Sequence, residues 1–148
     1  AAAAGDPSPV FASADFAPSP TPGKKAPTTG GVAQAVTGYP SSGCTLQLVV
    51  YKSGYWNGAV GSSLTSCLTP AGTIQHDQQL YRLDWWGWKR LQANRRTAYN
   101  TTSLAYDQIQ HCYTGDYNQW SGHVRGDMWR NGNWWFADVT SGAALYCG

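Results

Sequence analysis

Apolar and polar positions alternate along much of the chain after residue 43. Cys44-Thr45-Leu46-Gln47-Leu48-Val49-Val50-Tyr51 steps between the two with β-branched and aromatic residues, the pattern of a half-buried strand. Ser53-Gly54 and Asn57-Gly58 mark turns after it. Residues 79–85 alternate again, and residues 86–91 either continue that strand or bend at Gly87. The strongest local signal is a hairpin. Residues 124–130 and 134–139 flank Asn131-Gly132-Asn133, and Asn-Gly suits a tight turn because both residues tolerate positive φ. In its second strand Trp135, Ala137 and Val139 fall on one face, Trp134 and Phe136 on the other. One stretch departs from this pattern. Leu104, Asp107 and Gln108 recur at helical spacing and predict a short helix within 101–110, with Thr101-Thr102 working against it. The whole predicts an all-β fold, a small disulfide-bonded Greek-key sandwich or barrel over residues 44–148, preceded by an extended N-terminal tail.

Residues 1–43 follow different physics. They hold seven of the eight prolines and none of the eight tryptophans. The Pro/Thr/Gly/Lys-rich run 18–31 cannot sustain a helix or a central strand and reads as a linker. Ahead of it, residues 10–17 (Val-Phe-Ala-Ser-Ala-Asp-Phe-Ala) are apolar and lie between Pro9 and Pro18. An idle tail is one reading of such a segment. Docking into a partner is the other, and two Phe and a Val favour it, since an apolar segment on a tether can add a strand to another protein. Val10, Phe11, Ala14 and Phe16 are the expected contacts.

Charge narrows the choice of partner. Charged residues are 12% of the chain, all eight acidic residues are Asp, and the net charge is +2. That makes no electrostatic case for nucleic acid. No run approaches the ~18 apolar residues of a spanning helix, so no membrane insertion is expected. The four cysteines, Cys44, Cys67, Cys112 and Cys147, form no C-x-x-C pair, which argues against a zinc or redox site, and neither metal nor cofactor is expected. An even count in a small aromatic-rich chain suits two disulfides and an oxidising compartment. Of three pairings, Cys44–Cys67 and Cys112–Cys147 close the most local loops and are preferred. The Ala1–Gly5 start reads as a mature end left by cleavage at small residues, hence a secreted protein.

Catalytic signals are weak. His76, His111 and His123 carry no recognisable spacing, and no nucleophile elbow, zinc motif or phosphate loop occurs. The absence of Glu removes half the usual carboxylates of glycoside hydrolysis and leaves only an Asp pair among Asp84, Asp107, Asp116, Asp127 and Asp138. Arg125-Gly126-Asp127 matches a cell-adhesion tripeptide but sits in a strand and reads as structural. The tryptophans are more informative. Trp85, Trp86 and Trp88, with Trp134 and Trp135, exceed what a small core needs, and Arg82, Lys89, Arg90, Arg95 and Arg96 lie near the first three. Core filling is one reading; an interface of Trp and Arg anchors and a sugar-stacking platform are the others. Trp85, Trp86, Trp88, Arg90 and Trp134 are the expected partner contacts on the domain.

The layout resembles one family: the small adaptor subunit of the actinobacterial umbrella toxin particles. The Ala1–Gly5 start, the apolar segment 10–17, the tether 18–31 and the Cys/Trp-rich domain 44–148 carry the resemblance. It implies a secreted, non-enzymatic adaptor in an antibacterial complex. Its N-terminal segment would dock into a larger repeat-containing toxin subunit, and its domain would grip a lectin-like subunit. A secreted carbohydrate- or cell-wall-binding module is the alternative that the tryptophans suggest.

Overall fold

The computed structural model describes residues 11–21, 23–27, 42–54 and 57–147. Its strands are β1 (Ala12–Asp15), β2 (Ala17–Pro18), β3 (Cys44–Lys52), β4 (Gly58–Asp84), β5 (Gly87–His111), β6 (Tyr117–Arg130) and β7 (Asn133–Tyr146), with no helix among the described residues. All pairings are antiparallel, in the order β1-β3-β4-β6-β7-β2, and β5 pairs with β4 off that path. The all-β expectation holds, as a nearly closed barrel-like sheet.

β4 organises the sheet. Its first half pairs with β3, its second half with β6, and β5 runs beside both. Residues 67–70 step out of the ladder with β5. Pro70, which has no N–H to give a ladder, falls in this bulge. The bulge folds the β4–β5 hairpin onto itself. Ser63 and His76 lie thirteen residues apart on β4, yet Ser63 Oγ is 2.8 Å from His76 Nδ1. A straight strand would separate them by roughly 40 Å.

The helix expected within 101–110 is instead the end of β5, with Ser103 to His111 paired against Ser66 to Gly58. Burial there has period two. Leu104 and Gln108 are buried while Ala105, Asp107 and Ile109 are exposed. Non-local pairing with β4 outweighs a weak helical spacing. The bend anticipated near Gly87 is the β4–β5 turn at Trp85-Trp86. The Asn-Gly hairpin forms as expected between β6 and β7, with φ of 53° at Asn131 and 75° at Gly132.

The N-terminal segment corrects the expected division at residue 44. β1 pairs with β3, and β2 pairs with β7. Residues 12–18 therefore join the two ends of the sheet path and close the barrel. Between the two short strands, Phe16 enters the core and is 2% exposed. Burying such a ring contributes about 1.5–3 kcal/mol. Gly126 makes the space for it, because a Cβ there would lie 3.0 Å from Phe16 and from Leu46. The following residues continue across the outer face of β6 and β7. Ser19 N donates to Trp134 O at 2.8 Å, and Arg125 donates to the carbonyls of Ala26 (2.9 Å) and Pro27 (3.0 Å). Residues 1–10 and 28–41 lie outside the described residues.

Both preferred disulfides are present. Cys44–Cys67 links directly opposed positions of β3 and β4, and Cys112–Cys147 ties the chain after β5 to the chain after β7. Each lies beside one of two apolar clusters. Leu46, Leu48, Ile74, Val124, Met128 and Trp135 pack around Phe16, while Val50, Leu80, Trp120 and Leu145 pack beside Cys112–Cys147.

Candidate functional site

The candidate site is the tip of the β4–β5 hairpin and the basic start of β5. Asp84 and Gly87 pair across the turn, and Gly87 has φ 125°, a conformation that favours glycine. The two turn residues are both tryptophans. Trp85 is 92% exposed and Trp86 61%, with their rings edge to face at 5.1 Å, and Trp88 at the start of β5 is 51% exposed. Folding a water-soluble chain removes such rings from solvent wherever it can. Three exposed indoles within four positions form an apolar surface patch, which makes them the candidate site.

The tip is braced. Arg82 binds Asp84 through two nitrogens, at 2.7 and 3.2 Å, and its guanidinium lies 5.9 Å from the Trp120 ring centre. The Arg82 hydrogen bond holds the Asp84 carboxyl below its ordinary range, with the charges of Arg82 and Lys89 adding to it. Asn118 donates to Leu83 O at 3.4 Å, tying the tip to the start of β6. Arg90 is exposed two residues beyond Trp88. Beside Trp88 an open groove of about 360 Å³ runs over Gln119, Trp120, Ser121 and Gly142–Ala144, with no charged lining residue.

The structure thus brings together Trp85, Trp86, Trp88 and Arg90. It places the other expected contacts elsewhere. Phe16 is core, and Ala14 lies half-buried in β1 opposite Leu46. Phe11 is exposed just before β1, and Val10 lies outside the described residues. Trp134 is at the opposite end of the β6–β7 ladder. It packs edge to face on Trp129 at 5.5 Å, and the Lys25 ammonium sits 4.8 Å from its ring centre. The chain's own N-terminal segment covers the face to which Trp134 was assigned as a partner contact.

Several residues with chemical potential are buried in the fold. His76 is fully buried inside the fold of β4, between Ser63 Oγ at 2.8 Å and Thr65 Oγ1 at 2.6 Å. Ser63 gives its single hydroxyl proton to Gln78 Oε1, so Nδ1–H of His76 donates to Ser63 and Thr65 donates to Nε2. Gln78 donates onward to Gly61 O at 2.7 Å, and Gln108 donates to Gln78 O at 2.7 Å. Burial lowers the His76 pKa to about 4, against a smaller upward pull from Asp77. This is a neutral, hydrogen-bonded seam that holds the two halves of β4 together, shielded from solvent. Arg125 and Asp127 of the adhesion-like tripeptide are also buried, 3.0 Å apart, as the structural reading anticipated. Burial raises the Asp127 pKa while Arg125 pulls it down. Asp138 shares this cluster, 3.0 Å from His123 and 3.9 Å from Arg125. Among the described residues no group of three or more His, Cys, Asp or Glu could hold a metal ion.

Sequence reasoning missed the polar seam, the barrel-closing role of residues 12–18 and the anchoring of residues 26–27 by Arg125. The alternation Ile74-x-His76-x-Gln78-x-Leu80 was a visible signal for an inward face that carries polar groups. No protein-family model, curated protein or solved structure matches the chain.

Proposed function

We propose that this chain is a secreted, non-enzymatic adaptor that links subunits of an extracellular antibacterial protein toxin complex. The observation that carries the reading is the cluster of Trp85, Trp86 and Trp88, bare at the end of a braced hairpin. Rigid aromatic anchors next to Arg are the residues that dominate protein interfaces, and a rigid mount lowers the entropy cost of using them. Two disulfides are compatible with an extracellular setting. The resemblance to umbrella toxin adaptors supplies the partner classes: a lectin-like subunit for the hairpin tip and a larger repeat-containing subunit for the N-terminal segment. Because residues 12–18 close the chain's own barrel, docking them into a second protein requires that they leave the seam between β3 and β7.

The test is co-purification from native secretion medium with the tagged full chain. The Trp85→Ala/Trp86→Ala variant is expected to stay folded and lose the lectin-like partner; retention of that partner overturns the role of the tip. A Ser13→Cys/Gln47→Cys disulfide, joining paired positions of β1 and β3, locks the N-terminal strand in place. Loss of the larger partner on locking, with recovery on reduction, supports exchange of the strand, and undiminished assembly rejects it.

A carbohydrate-binding module is the second reading, favoured by the uncharged groove that sets Trp88 beside Gln119 and Ser121. A glycan array signal abolished by Trp88→Ala, with no protein partner retained, would replace the first reading with this one.

A further inference from the structure

We propose that the free edge of β5 over residues 88–99 is a strand-addition site that takes an extended acidic segment of a partner protein. The inference deepens the adaptor reading and rests on it. Strand edges are hazardous because unpaired N–H and C=O groups recruit other strands, and proteins cover or shorten them. This chain covers one pair of edges with its own residues, β1 lying on β3 and β2 on β7. It leaves β5 bare. Among the described residues β5 pairs with β4 alone, over 25 residues, where strands in globular proteins run to about 5–6. The arm 88–99 spans roughly 40 Å, with one bulge at Leu91, since Tyr81 pairs with Arg90 and Leu80 with Gln92. The stretch beyond it, 92–99, keeps an unbroken register with β4.

The side chains on this arm say what would fit. It carries Lys89, Arg90, Arg95 and Arg96 and no acidic residue, whereas the second arm carries Asp107 and none of the four cations. Arg95 is held by Asp77 of β4 at 2.6 Å. Lys89, Arg90 and Arg96 have no carboxylate at ion-pair distance among the described residues. Cations along an edge discourage pairing with another copy of the same chain. That would be their whole role if the hairpin ended in a polar turn, but it ends in two exposed tryptophans with a third at the start of the arm. An edge that repels itself and still presents apolar anchors selects for a partner of opposite charge. Main-chain hydrogen bonds then supply affinity, and the indoles and cations set the register.

The test uses the full chain and three probes. One is a synthetic peptide alternating Asp or Glu with Val or Thr. The second is the same peptide N-methylated on one edge, and the third is heparin as a polyanion without strand geometry. The acidic peptide is expected to slow amide hydrogen exchange in 88–99 and leave 102–111 unchanged. The N-methylated copy is expected to bind about tenfold more weakly or worse, and Lys89→Glu/Arg90→Glu, at exposed positions, to cost the acidic peptide a similar factor. Equal binding of both peptides, or the same protection from heparin, overturns strand addition in favour of a charge patch. Failure of all three probes overturns it as well. If Lys89→Glu/Arg90→Glu leaves co-purification of the native partner intact while Trp85→Ala/Trp86→Ala abolishes it, the adaptor reading stands and the edge proposal falls.

Discussion

The two sides of the barrel treat their strand edges in opposite ways. On one side β3 and β7 would both end in open edges, and residues 12–18 lie between them and supply Phe16 to the core. On the other side β5 ends in solvent, and its turn displays tryptophans in place of hiding them. The closing strand solves a stability problem from within the chain. The open strand leaves the same problem unsolved and loads the edge with cations. An aromatic residue in this protein therefore has a meaning set by which edge it serves: Phe16 is buried in the core, and Trp85 is exposed, with no strand among the described residues placed over it.

The comparison predicts its largest effect on the closed side. Phe16→Ala removes a buried ring next to Gly126 and Leu46, where the surroundings can collapse only in part. It should cost about 3–5 kcal/mol, read as a lowered urea midpoint at unchanged m-value. Phe11→Ala, at an exposed position five residues earlier, should cost almost nothing. If the two variants unfold alike, residues 12–18 do not close the barrel in solution and the contrast between the edges disappears.

The next effect lies in the crease between the two sides. His76 has its folded-state pKa depressed from 6.5 to about 4, so the unfolded chain takes up its proton first as pH falls. The stability contributed by neutral His76 is complete above pH 6.5 and is lost progressively as pH drops towards about 4. The loss should total about 3 kcal/mol. Urea unfolding at neutral pH and near pH 4 measures it. The wild-type chain should lose more stability between the two than His76→Gln, which cannot take up a proton. Parallel losses would mean that the fold of β4 is not sealed.

Legibility in the sequence followed the range of the contact. The Asn131-Gly132 turn and the in–out order of residues 134–139 were readable because turn chemistry and strand period are local. The Cys44–Cys67 pairing was readable because a 23-residue separation suits a hairpin that places the two opposite each other. Residues 101–110 misled because their strand character comes from Gly58 to Ser66, far back in the chain. Residues 10–17 showed that an apolar strand existed but not whose edges it would meet, and the strand lies within reach of two edges of its own domain. The contact of Trp134 with Lys25, over a hundred residues earlier, was out of reach of the sequence for the same reason. Trp85, Trp86 and Trp88 were legible only as an excess of indoles, with core filling and an interface both open, because the turn that exposes Trp85 and Trp86 was not read between residues 84 and 87.

The smallest effect on stability is the one that decides what the open side is for. Trp85 is almost wholly exposed, and among the described residues its ring contact is to Trp86, itself mostly exposed. Trp85→Ala should therefore change the free energy of unfolding by no more than about 0.5 kcal/mol. Arg82, Asp84 and Asn118 hold the turn without it. A change of 2 kcal/mol or more, roughly the cost of truncating a buried side chain, would show that the indole packs in solution, and the tip would lose its claim to be an interface. A near-zero change leaves the ring without a structural reason to be there. The hairpin then keeps a large apolar side chain in water at a place where Gly, Asn or Asp would make an equally good turn, which is the cost that the proposed partner would offset by covering the ring.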